Sequence, residues 1–204
     1  MHDQTQIQQL DQLAVLVKLL GVRSGHQIVY SNMAKDIQVG VETVKRWCEA
    51  LSNLHHGLLL KPWFTSVSRS LRKEPKWFLR DWAEIDAVGD RAETFVTFVA
   101  CHLLKAIEGW NDLGYGKFHL GYLRDKDKRE VDFIVIRDGK PWFLAEVKHA
   151  HTAISDSLRR FQHQTTAPFA FQIVVVAAYV DGDCFAKPRS PLVVPAKTLL
   201  SQLL

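Results

Sequence analysis

The chain has 204 residues, 47% of them hydrophobic, enough to close one sizeable core or two small ones. Its longest apolar runs, such as Ile173 to Val180, are far too short to span a bilayer, and Met1 to Gln9 lacks the basic-then-apolar order of a secretory leader. The three cysteines, Cys48, Cys101 and Cys184, are odd in number and widely spaced. That excludes a disulfide framework and points to thiols in a reducing cytoplasm, while the net charge of +4 suits a polyanionic partner.

In chain order, apolar positions at helical spacing from Ile7 to Leu20 predict an amphipathic helix that Gly21 and Gly25 end. Ser31, after Tyr30, is the expected N-cap of a short helix through Met33, Ala34 and Ile37. Gly40 marks a turn, and Val41 to Leu54 reads as a second helix with Val44, Trp47, Cys48 and Leu51 on one face. Two short helices joined by a tight turn containing glycine make a helix-turn-helix. Leu58 to Phe64 and Pro75 to Leu79 then read as two strands, and from Lys61 to Arg80 there are six Lys and Arg against one acid, Glu74.

The expected first domain is therefore a winged helix-turn-helix over residues 1–82, with Arg69, Arg72 and Lys73 at the wing tip. DNA contact would run through Thr43, Lys45 and Arg46 on the second helix and through the wing. Winged helices also serve as protein-protein modules, and the pattern leaves both uses open.

Asp81 to Asp90 is polar and reads as a linker into a second domain over residues 83–204. Arg91 to Ile107 is a strongly apolar helix. Three strands follow at Lys117 to Arg124, Glu130 to Arg137 and Pro141 to Lys148, with Asp138-Gly139 as the hairpin signal between the last two. Ser155 to Gln164 is amphipathic and helical, Ala170 to Tyr179 reads as a buried strand, Leu192 to Val194 as a short strand, and Lys197 to Leu204 as a terminal helix. Helix, three strands, helix and two strands give an α/β domain with a mixed sheet.

Two of these strands carry acids in apolar surroundings: Val131-Asp132-Phe133 and Trp142-Phe-Leu-Ala-Glu146-Val147-Lys148. A buried carboxylate is costly unless it is paired or binds a cation. Glu146 and Lys148 are two apart and share a face, and the Asp138-Gly139 turn makes their strand the neighbour of Asp132. Two carboxylates and an ammonium are what phosphodiester hydrolysis needs: hard oxygens for Mg²⁺ or Mn²⁺, and a cation beside the phosphate. The carbonyl of Val147 is a further candidate ligand, and Glu93, near the start of the preceding helix, a further acid. His149, Gln162 and Gln164 lie near enough in sequence to be considered, but a polar strand end and a solvated helix face explain them more simply.

Glu93 on a helix, then Asp132, then Glu146-Val147-Lys148, resembles the PD-(D/E)XK nuclease superfamily. Tyr30-Ser31, Ala34, Thr43-Val44-Lys45-Arg46, Glu130-Val131-Asp132-Phe133 and Glu146-Val147-Lys148 together are similar to the C-terminal half of a group of bacterial and archaeal AAA-type ATPases, over roughly residues 25 to 180. The phosphate-cradling G-x-x-x-x-G-K-[ST] string of an ATPase half is missing from the chain.

The resemblance implies an αβββαβ core and Mg²⁺-dependent cleavage of DNA. Asp132 and Glu146 would be metal ligands, Glu93 an assisting acid, and Lys148 the group that activates water or offsets charge. It also implies a homodimer, since many such nucleases cut two strands, and a separate ATPase as a partner. The alternative is a non-catalytic DNA-binding or regulatory protein with an inactive nuclease fold.

Overall fold

The computed structural model describes residues 2–63, 74–87, 91–150, 152–186 and 190–203. The chain divides into two compact units, Met1–Leu60 with Glu74–Thr97, and Lys61–Lys73 with Phe98–Leu204.

The first unit contains α1 (His2–Val22), α2 (Tyr30–Ile37), α3 (Val41–Asn53), β1 (Gly57–Leu60), β2 (Lys76–Leu79) and a short 3₁₀ helix, Trp82–Ala87. Its core is built from pairs one turn apart. Leu16 and Leu20 of α1, Met33 and Ile37 of α2, and Val44 and Cys48 of α3 are all buried, around Ile28 and Trp77. Each fully buried aliphatic side chain in such a cluster contributes roughly 1.5–3 kcal/mol.

Ser31 is not the N-cap of α2. The helix starts two residues earlier, at Tyr30, and Val29 takes the cap position without a side-chain bond. Tyr30 packs against the core, which draws the first turn upstream. In the following turn Gln38, rather than Gly40, takes the left-handed backbone (φ 56°), and Gly40 is the N-cap of α3.

The strands β1 and β2 pair antiparallel, with Gly57 opposite Leu79. Trp77 is fully buried, and its ring lies where a side chain on Gly57 would be: an added Cβ would come within 2.1 Å of an indole carbon.

The described part of the expected linker, residues 81–87, is not simply extended chain. Ile85 is 4% exposed, and its burial folds the polar residues around it into the 3₁₀ turn. In sequence, the two compact units divide inside α4 (Arg91–Asp112), between Thr97 and Phe98. In the first unit the Ser24 hydroxyl lies 3.0 Å from that of Thr97 and accepts the Leu79 amide at 2.9 Å.

Burial, with the Glu49 carboxylate adding to it, pushes the Cys48 thiol from its ordinary 9.0 up to about 12. The folded state keeps this proton where the unfolded chain loses it, so its contribution to stability is full below pH 9 and is lost as pH rises through 12. Titration with a thiol reagent at pH 8 should label half-buried Cys101 ahead of buried Cys48 and Cys184, which should react fully only in denaturant. Equal rates for all three would contradict this packing.

The second unit carries β3 (Phe118–Arg124), β4 (Glu130–Arg137), β5 (Lys140–Lys148), α5 (Asp156–Thr165), β6 (Phe169–Val174), β7 (Leu192–Pro195) and α6 (Ala196–Leu200). Its fold is mixed α/β, with one five-stranded sheet in the order β3-β4-β5-β6-β7. The first three strands form an antiparallel meander, while β5–β6 and β6–β7 are parallel. Asp138 and Gly139, both at positive φ (50° and 78°), turn β4 into β5.

On one face, Ile134, Ile136, Leu144 and Ala170 pack with Leu158 and Phe161 of α5. Elsewhere in the unit Trp142, Phe143, Phe169 and Phe171 contact Phe185, with ring centroids 5.2–5.6 Å apart. The apolar run after β6 does not continue the strand as expected. Past Val174 the chain turns to the surface, and Val176, Tyr179 and Val180 are exposed.

Residues 61–63 lie along β3. The amide of Trp63 donates to the Tyr122 carbonyl at 2.8 Å, and the Tyr122 amide donates to that of Lys61 at 3.3 Å. Gly121 permits the approach, since a Cβ there would stand 3.2 Å from that of Trp63.

Candidate active site

The register of the sheet shows how Asp132 is presented. Gly121 pairs with Ile134 and Leu123 with Val131, so two residues of β4, Asp132 and Phe133, stand against the single Tyr122 of β3. This is a β-bulge, which bends a strand and re-aims its side chains. Val131 and Ile134, three apart, accordingly both join the cluster facing α5, where an unbroken strand would put them on opposite faces. Beyond the last β4–β5 pair, Phe133 with Ala145, the Asp132 Oδ2 accepts the amide of Val147 at 2.9 Å. A side-chain carboxylate thus takes a donor that the ladder would otherwise have used, and Asp132 is bonded to the residue between Glu146 and Lys148.

Glu146 is 7% exposed. Burial of a lone carboxylate would cost several kcal/mol. Here Lys148 Nζ lies 2.7 Å from Oε1, and the Ser155 hydroxyl donates to Oε2. Lys148 is half-buried. Ser155 is also the N-cap of α5, accepting the Leu158 amide at 3.0 Å. Asp132, Val147, Glu146, Lys148 and Ser155 therefore form one connected group where β5 ends and α5 begins.

The oxygens at this strand end that could hold a divalent cation are those of Asp132, Glu146 and the Val147 carbonyl. A strand residue's amide and carbonyl point to the same side, so the Val147 carbonyl shares the β4 side with the amide that Asp132 takes. Two carboxylates and a backbone carbonyl suit Mg²⁺, which is commonly held by one or two carboxylates and keeps several waters. Among the described residues no three His, Cys, Asp or Glu side chains gather in one place. His149 is exposed on the strand end and joins no such group.

Glu93 stands on the first turn of α4, in the first unit, with His26 Nε2 2.9 Å from its Oε1. On α3, Arg46 is exposed, Thr43 is half-buried, and Lys45 Nζ is held 2.7 Å from Glu42. Arg69, Arg72 and Lys73 lie outside the described residues.

Two polar residues escape a reading of the sequence alone. Gln172, fully buried on β6, accepts the Ser155 amide at 3.2 Å and donates to the Thr152 carbonyl at 2.9 Å. Its signal was present: one amide inside the apolar run Phe169-Ala-Phe-Gln-Ile-Val. Ser155 was visible as a helix start, but not as a partner of Glu146. Of the glutamines on α5, Gln162 donates to the Ala167 carbonyl just past its own helix, at 3.2 Å, and Gln164 is exposed.

No helix among the described residues is long and apolar enough to cross a membrane. No curated protein and no solved structure matches the chain. Two family models do: residues 1–88 are similar to a domain of unknown function (DUF8612), and residues 93–181 to a second domain of unknown function (DUF4143).

Proposed function

We propose that the chain is a metal-dependent DNA nuclease, with a winged helix-turn-helix ahead of a PD-(D/E)XK-type domain. The observation that carries the reading is the joining of Asp132, in its bulge, to the Glu146-Val147-Lys148 segment of the next strand. The mixed sheet, with three antiparallel strands and then a helix crossing to a parallel one, supports it.

A divalent cation held by the Asp132 and Glu146 carboxylates and the Val147 carbonyl would polarise a phosphate oxygen and make water more acidic. The chain's own contribution is positional. The bulge sets Asp132 against β5, Ser155 fixes one oxygen of Glu146, and the Lys148 ammonium offsets charge that builds on the phosphate. Exposed Arg46 on α3 and the basic residues that follow β1 in the sequence would supply phosphate contacts. The Glu42–Lys45 pair is exposed and worth little, so a phosphate can compete for Lys45.

A second reading, a DNA-binding or regulatory protein without turnover, is favoured by the neutralisation of Glu146 within the chain by Lys148 and Ser155. Cleavage of labelled linear, branched and single-stranded DNA, with Mg²⁺ or Mn²⁺ and with chelator, separates the two. Cation-dependent cutting is expected. Salt-sensitive binding without cutting would leave the DNA-binding form of the second reading, and neither activity would leave only its regulatory form.

A further inference from the structure

We propose that Ser155 and Gln172 are positioning residues that hold the Glu146 carboxylate in place for a cation; the inference rests on the nuclease reading above. Gln172 faces Glu146 across the parallel β5–β6 register and is fully buried between Phe171 and Ile173. A primary amide there is costly unless every polar atom is used, and an apolar residue would fill the place more cheaply.

The amide is used in full on the loop that joins β5 to α5. Its Nε2 donates to the Thr152 carbonyl at 2.9 Å and lies 3.3 Å from the Thr152 hydroxyl, and its Oε1 accepts the Ser155 amide at 3.2 Å. The loop is thereby tied at its middle, Thr152, and at its end next to α5, Ser155, to the strand beside the acid. Ser155 has one hydroxyl proton, and it goes to Glu146 Oε2, while the lone pairs take the Leu158 amide. The chain of contacts runs from β6 to the start of α5 and ends on the acid of β5. Partners of metal ligands act in this way, fixing the orientation of the coordinating group, and their loss commonly weakens metal affinity by about 10- to 100-fold.

A helix cap alone would explain half of these bonds, so the test must separate capping from positioning. Glycine caps almost as well as serine, at a loss of only a few tenths of a kcal/mol, and has no hydroxyl. Mn²⁺ binding would be followed by electron paramagnetic resonance on the full chain, beside a thermal melt of each protein. Ser155→Gly is expected to weaken Mn²⁺ about tenfold with little change in melting temperature. Ser155→Thr, which keeps both cap and hydroxyl, should stay near the wild type.

Gln172→Met, close in shape and suited to the apolar strand, should weaken Mn²⁺ in the same direction. If that protein does not fold, Gln172→Glu, which keeps the oxygen that accepts from Ser155, takes its place with the same expectation. Unchanged affinity in Ser155→Gly would reduce Ser155 to a cap, and equal loss in Ser155→Thr would show that the hydroxyl is not the cause; either overturns the inference while the nuclease reading stands. Unchanged affinity in the Gln172 variant would overturn its part. A wild type that binds no Mn²⁺ would sink the nuclease reading and this inference with it.

Discussion

Asp132→Asn is expected to lower cation-dependent DNA cleavage by two to three orders of magnitude and to leave the fold intact. The asparagine keeps an oxygen that can accept the Val147 amide, so the bond that ties the β4 bulge to β5 survives. What is lost is one of two carboxylate charges at the site. A cation's stabilisation of the transition state is worth several kcal/mol, and each 1.36 kcal/mol is a factor of ten in rate, so a weakened site should cost about 3–4 kcal/mol.

Lys148→Ala should also lose activity, but less informatively, because it leaves Glu146 buried without its partner and so disturbs stability as well. Single-turnover cleavage beside a melting curve checks the asparagine variant. Full activity in a folded Asp132→Asn protein would mean that any cutting comes from elsewhere.

Gly57→Ala is expected to be the most damaging small substitution in the first unit, at about 3 kcal/mol, the upper part of the range for forcing extra atoms into a packed core. The new methyl would lie 2.1, 2.5 and 2.6 Å from three carbons of the Trp77 ring. That ring cannot swing aside into solvent, because Trp77 is fully buried among residues of α1, α2 and α3. Either the β1–β2 pairing opens or the three-helix core shifts. For a unit of this size a kcal/mol corresponds to roughly 4–8 °C, so the melting temperature should fall by more than about 10 °C. Tryptophan fluorescence during a thermal melt would read it, and a shift of a degree or two would mean that this packing is wrong.

The elements were largely legible because each announces itself locally. Leu16 with Leu20 and Val44 with Cys48 repeat at the helical period, and the Asp138-Gly139 dipeptide supplies the two positive φ angles that its turn needs. Misplaced boundaries followed from tertiary contacts. Tyr30 moved a helix start by packing on the core, and buried Ile85 folded a stretch that composition alone marks as a linker.

The end of β6 was illegible for a different reason. Val174 and Val176 are the same residue, and only their surroundings make one buried and the other exposed. For the site, Glu146 and Lys148 share a face by strand alternation alone. The placement of Asp132 depends on a bulge that no periodicity reveals, and that of Ser155 and Gln172 on a crossover that brings distant residues together. Glu93 and His26 are far apart in sequence, so a pair between them could not be anticipated.

Residues 61–63 have a consequence for inheritance and engineering. By lying along Tyr122, Lys61 to Trp63 cover part of the outer edge of the sheet, with Pro62, which has no amide to offer a further strand, at the centre of the cover. The guard comes from upstream of β2, although the strand that it guards belongs to the later half of the chain. The two halves are therefore not interchangeable cassettes. A gene rearrangement or a truncation that cut between residues 82 and 83 would separate the sheet from its own edge cover, and the bared backbone of β3 would be open to pairing with another chain.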